Sequence, residues 1–134
     1  MKIFVDTNVF LDIVLKRGDY AASLAIFKAV KNRVYEGVVA DISLVNIAYI
    51  SRKVNVDIRA YLSAIERSFV VQGADNTIIQ DALILPNDDI EDNIQYFMAL
   101  YSECECIVSN DRRFYRGDIE VLGSDVFADR YLAD

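Results

Sequence analysis

The sequence predicts an α/β fold built on a parallel sheet, and three observations carry that prediction. The chain opens on a short apolar run, Lys2-Ile3-Phe4-Val5, that ends at once in Asp6-Thr7-Asn8 and turns directly into a stretch of helical periodicity. Further short apolar runs recur down the chain, separated by helical stretches. That is the pattern of βα units with right-handed crossovers and both sheet faces covered. Of 134 residues, 54% are apolar and 26% charged, with five Gly and one Pro, which describes a well-cored globular chain without a long linker. At this length about two thirds of the unfolded surface can be buried, so a single domain over 1–134 is expected.

In order, residues 2–6 read as the first strand and 8–16 as the first helix, with Val9, Phe10, Leu11, Ile13, Val14 and Leu15 apolar. Gly18-Asp19 breaks that helix, and Asp19 is placed to cap a second over 20–32 whose inward face is Ala22, Ala25, Ile26, Ala29 and Val30. Residues 36–40 form a short buried strand. A third helix runs from 41–43 to about Lys53, and Asp57 caps a fourth that reaches about Ser68. Phe69-Val70-Val71 is the third strand. A helix over about 75–84 stops before Pro86-Asn87, a turn signal. Asp88 and Glu91 have the spacing of a capping box, so the next helix is expected to start there and to run to about Tyr101. Cys104 to Val108 is the fourth strand and Glu120-Val121-Leu122 the fifth. Gly123-Ser124-Asp125 leads into a last helix with Phe127 and Tyr131 on one side.

Composition removes several chemistries. There is no histidine, which excludes Ser-His-Asp and Cys-His nucleophiles and His-ligated zinc. The two cysteines, Cys104 and Cys106, lack the second pair a zinc site needs and are expected as buried thiols. A net charge of −7 argues against broad non-specific binding to nucleic-acid backbone. No apolar stretch approaches the ~20 residues of a bilayer span, so no membrane association is expected. Met1-Lys2 runs straight into the first strand without a signal-like apolar segment, and the expected localisation is cytoplasmic.

What remains for chemistry is carboxylate. Asp6 and Asp111 each follow directly after a strand, the edge where sites form in open α/β sheets, and Asp92 lies in the first turn of the helix leading into strand four. Three Asp from separate elements, with no His or Cys, suit Mg²⁺ or Mn²⁺. Carboxylates gathered that closely repel one another, so without a cation at least one is expected to keep its proton near neutrality.

Three segments together resemble the PIN domain, the fold of VapC-type toxins. They are Val5-Asp6-Thr7-Asn8-Val9-Phe10-Leu11-Asp12, Ile90-Glu91-Asp92-Asn93-Ile94-Gln95 and Cys106-Ile107-Val108-Ser109-Asn110-Asp111-Arg112-Arg113-Phe114. The closing Val121-Leu122-Gly123-Ser124-Asp125-Val126-Phe127 fits as well. The resemblance implies a three-layer fold, its parallel five-stranded sheet ordered 3-2-1-4-5 between helices. It also implies a Mg²⁺- or Mn²⁺-dependent endoribonuclease hydrolysing phosphodiester bonds of RNA, often paired with an antitoxin, with a homodimer as a further expected assembly. By this likeness Asp6, Asp92 and Asp111 hold metal. Ser109 and Asn8 support the site. Asn46 stands where the family commonly carries a Glu and would position water or a ligand without adding charge.

Other expectations are local. Glu91 is accounted for by the capping box, with an outer-sphere place near the metal as its further role. Asp88 and Asp89 are expected as helix-dipole charges. Asp12 is expected as a solvated helix carboxylate. Arg112, Arg113 and Arg116 follow the last acid and could steer RNA phosphate, while Phe114 is expected to pack. Two rivals remain open at this point. One is a PIN-fold RNA- or protein-binding regulatory module whose metal site Asn46 weakens. The other is a phosphatase of the haloacid-dehalogenase type, disfavoured because Asn8 stands where that chemistry needs an acid.

Overall fold

In the computed structural model, which describes residues 1–133, five parallel strands form one sheet in the order β3-β2-β1-β4-β5. β1 (Lys2–Val5) is central, flanked by β2 (Glu36–Ala40) and β4 (Cys106–Val108), with β3 (Val70–Gln72) and β5 (Glu120–Leu122) at the edges. Seven helices among the described residues cover the two faces: α1 (Thr7–Leu15), α2 (Tyr20–Lys31), α3 (Asp41–Ser51), α4 (Ile58–Ser68), α5 (Asn76–Ile84), α6 (Ile90–Tyr101) and α7 (Ser124–Tyr131). The expected strand order and layering hold. None of these helices is long and apolar enough to cross a membrane.

β1 shows why the sheet must be covered on both sides. Ile3 and Val5 pack with Phe10, Ile26, Val30, Ile47, Ile65 and Phe127 on one face, while Phe4 packs with Ile78, Tyr96, Met98 and Ile107 on the other. Successive strand residues point to opposite faces, so an unbroken apolar run reads as a strand buried twice. At Gly37 in β2 a Cβ would stand 2.6 Å from the Phe69 ring and 2.7 Å from Val30, so no larger residue fits where that strand crosses the core.

Several boundaries differ from expectation for physical reasons. β1 stops at Val5 because Asp6, in extended conformation, is already the N-cap of α1. β4 is shorter than the 104–108 run, with Cys104 buried but outside the ladder. α2 turns Ser23 and Phe27 inward alongside Ile26, Ala29 and Val30, and Asp19 makes no side-chain cap bond. The capping box at Asp88 does not form. Asp89 is the N-cap of α6, accepting from the Asp92 amide, one residue later than the acid pattern suggested.

Candidate active site

The carboxyl ends of β1 and β4 hold the site. The backbone N–H of Asp6 donates to the Val108 carbonyl at 2.9 Å, extending the β1–β4 pairing by one rung and fixing where the Asp6 carboxyl emerges. Both of its oxygens are held. One accepts from the Thr7 amide at 2.7 Å; the other accepts from the Ser109 hydroxyl at 2.7 Å and the Asn8 amide at 2.9 Å. Ser109 in turn accepts from the Asp111 amide, and the Asn8 carbonyl oxygen accepts from the Asn110 amide. Asn8 and Ser109 thus tie the two strand-end loops together around Asp6. Thr7 adds a link to α3 through the Ser43 hydroxyl at 2.6 Å.

Asp6, Asn8, Asn46, Asp89, Glu91, Asp92 and Asp111 line one cavity of about 190 Å³. The three expected acids therefore face one space, and none of them is drawn into a salt bridge among the described residues. Within that space, Asp89, Asp92 and Asp111 each bring a carboxylate oxygen within 4.8 Å of the others. Asp6 lies beside this triangle, and its charge is the largest neighbouring one acting on Asp92. Asp89 was expected only as a helix-dipole charge. The one-residue shift in the start of α6 is what turns it to the cavity.

The electrostatics follow from burial and crowding. Asp6 is 3% exposed, and burial raises its carboxyl to about 6 against the opposing pull of Ser109, the Thr7 amide and Gln95. Asp92 is 6% exposed; burial first, then the charges of Asp6, Asp89, Asp111 and Glu91, push it to about 7. Its Oδ2 has no hydrogen-bond partner among the described residues. Gln95, one turn along α6, is fully buried with neither amide atom bonded by distance and angle, although it lies close enough to Asp6 to favour its ionised form. The sequence signal for Gln95 is a polar residue at i+3 from Asp92, set between Ile94 and Tyr96 where the helix turns apolar.

Two expectations need correction, those for Glu91 and Asp12. Glu91 does not reach back to the helix end; its carboxylate accepts from the Asn46 amide nitrogen at 2.9 and 3.4 Å. Asn46 accordingly directs its N–H₂ at an acid on α6, and burial and Asp89 raise the Glu91 carboxyl while Asn46 lowers it. Asp12 is not solvated. It is buried, paired with Arg17 at 2.8 Å, and accepts from the Asn110 side chain at 2.7 Å.

The basic residues separate. Arg112 and Arg116 are exposed and line a neighbouring cavity of about 480 Å³ that shares Asp111 with the first; Arg116 also donates to the Val121 carbonyl at 3.0 Å. Arg113 is exposed and lines neither cavity, while its backbone amide donates to Asp111 at 2.9 Å in a local turn. Asp111 is thus both the turn residue and a wall of the cavity. Phe114 is buried as expected.

A parallel 3-2-1-4-5 sheet with acids gathered at its carboxyl edge defines a class, and the chain belongs to it: the PIN domain family profile matches residues 2–113. Among particular relatives, the chain is similar to Ribonuclease VapC1 of Aquifex aeolicus (strain VF5), 26% identical over 140 aligned positions that cover 97% of this chain and 95% of the relative. Its fold is similar to a chain in the crystal structure of VapBC2 from Rickettsia felis bound to a DNA fragment from their promoter. There the TM-score is 0.67 and identity 13%, covering 92% of this chain and 98% of that one.

Proposed function

We propose that the chain is a Mg²⁺- or Mn²⁺-dependent endoribonuclease of the VapC type, the toxin of a toxin–antitoxin pair. The observation that carries this reading is Asp92, a nearly buried carboxylate with an unpartnered oxygen, facing a cavity shared with Asp6, Asp89 and Asp111. A carboxylate so placed is costly unless a positive charge arrives. The donor set fits a hard cation: every candidate ligand is an oxygen, the chain has no histidine, and both cysteines are buried thiols pushed up to about 11 and about 12, chiefly by burial.

In this proposal Asp6, Asp92 and Asp111 hold the cation, which when bound would supply an activated water and charge neutralisation at the scissile phosphate. Ser109 and Asn8 keep Asp6 ionised and aimed by donating to it. Asn46 acts through Glu91, fixing a further negative charge at the rim. Arg112 and Arg116 receive the RNA backbone beside Asp111, and Arg113 contributes to the surrounding field. RNA is the proposed substrate, supported by the ribonuclease name of the Aquifex relative. The proposed partners are an antitoxin protein, supported by the VapBC2 complex, and a second copy of the chain, in the cytoplasm.

The test is cleavage of end-labelled single-stranded RNA by the wild type with Mn²⁺ and with chelator. Cleavage that needs Mn²⁺ and vanishes in Asp6→Asn is expected. The second reading, a regulatory module, is favoured by Asn46, which brings no charge and spends its amide on Glu91. Absence of cleavage in the wild type with Mn²⁺, together with cleavage by Asn46→Glu, would favour it.

A further inference from the structure

The first turn of α6 places three acids at the cavity, and they are not equivalent. Glu91 is engaged by Asn46. Asp92 is buried and has an oxygen without a partner. Asp89 caps the helix with Oδ1, which accepts from the Asp92 amide at 3.1 Å. A cap bond uses one carboxylate oxygen and leaves lone pairs on both. It also holds the group in one orientation, so a capping Asp is a pre-positioned donor.

Two oxygens on one Mg²⁺, each at ~2.0–2.1 Å from it, lie no more than about 4.2 Å apart. The oxygens of Asp89, Asp92 and Asp111 lie within 4.8 Å of one another, so a shift of a few tenths of an ångström by each side chain would bring all three onto one ion. The triangle also has a direction. Asp92 is buried, Asp111 half-buried and Asp89 exposed, so it runs from the interior to solvent. A cation held there would leave its solvent side open to water and a phosphate oxygen. The α6 dipole opposes it, but with only about half a unit of positive charge at the helix start, against three carboxylates.

We propose that Asp89 is a direct ligand of the divalent cation, together with Asp92 and Asp111, in addition to capping α6; the proposal rests on the metal-dependent reading above. The acid triangle does not stand alone: Asp92 is 6% exposed, its unpartnered oxygen belongs to the same cavity, and that marks it as a place where a positive group is received. Direct ligation by Asp89 also gives Asn46 a defined part: by engaging Glu91 it keeps that longer acid out of the triangle and leaves the first turn of α6 to act through its Asp residues. α3 then contributes orientation and no anionic oxygen.

The experiment is isothermal titration of the full chain with Mn²⁺, for wild type, Asp89→Asn and Asp92→Asn, with thermal melting of each in chelator. Asn caps a helix as well as Asp does, so Asp89→Asn removes charge and keeps the cap. The expected result is saturable binding by the wild type, weakened about tenfold or more in Asp89→Asn, with an unchanged or higher metal-free melting temperature. Wild-type affinity within about twofold in a folded Asp89→Asn overturns the proposal and leaves the nuclease reading standing. Wild type without saturable binding overturns both. Should Asp89→Asn fail to fold, Asp89→Ser, which also caps, is titrated against the same two outcomes.

Discussion

Two polar clusters meet at the loop after β4, and they are built on opposite rules. On one side Asn110 closes a network. Its amide nitrogen donates to Asp12 at 2.7 Å and Ser23 at 3.2 Å, and its oxygen accepts from the Ser124 amide at 2.9 Å and hydroxyl at 2.7 Å. Arg17 balances the charge of Asp12. On the other side, one residue further along, Asp111 faces Asp89 and Asp92 with no cation among the described side chains. A polar group left without a partner in the interior costs more than a typical hydrogen bond returns. The closed cluster is therefore a frame and the open one a site, and the frame fixes the loop on which the site depends.

The largest expected effect is on the open side. Asp92→Asn should lower RNA cleavage on the order of 1000-fold while raising the metal-free melting temperature, because it removes a carboxylate crowded by four others. Turnover on labelled RNA and a thermal melt check the two halves. On the closed side the expectation reverses. Asn110→Ala should destabilise the fold by about 2–4 kcal/mol, lowering the melting temperature by roughly 10 °C, because Asp12 and Ser124 lose their buried partner. A stabilised Asn110→Ala would dissolve the contrast.

pH sharpens it further. Asp6 at about 6 and Asp92 at about 7 lie above the usual unfolded carboxyl value of about 3.9. Between those values the folded chain binds more protons than the unfolded one, so their contribution is full below about pH 4 and lost as pH rises through about 7. The metal-free wild type should match Asp92→Asn at low pH and fall below it, by about 5 °C, toward pH 8. Saturating Mn²⁺ should abolish that fall. Smallest of all, Arg112→Ala should raise KM for RNA by about two- to fivefold at low salt and leave it unchanged at high salt, as measured across an ionic-strength series.

The contrast also explains what was legible in the sequence. Strand–acid junctions were visible because Val5-Asp6 and Val108-Ser109-Asn110-Asp111 end apolar runs abruptly, and the run-and-helix rhythm carried the sheet. Asp89 was hidden because Asp88-Asp89-Ile90-Glu91-Asp92 offers a cap in two registers. Choosing Asp88 sets Asp89 among the dipole charges, whereas capping by Asp89 itself turns it into the cavity. Asp12 and Asn110 were hidden for another reason: they are 98 residues apart, and nothing local to either marks the bond between them. Asn46 was seen as a departure, but its partner across the cavity, 45 residues away, was not.

The most direct measurement is a crystal of the wild-type chain soaked in Mn²⁺, with anomalous scattering collected to place the ion. The predicted result is a manganese peak in the cavity with carboxylate oxygens of Asp92 and Asp111 about 2.1 Å away. An ordered Asp92 with no manganese beside it, in a soak where the metal is bound elsewhere, would contradict the account.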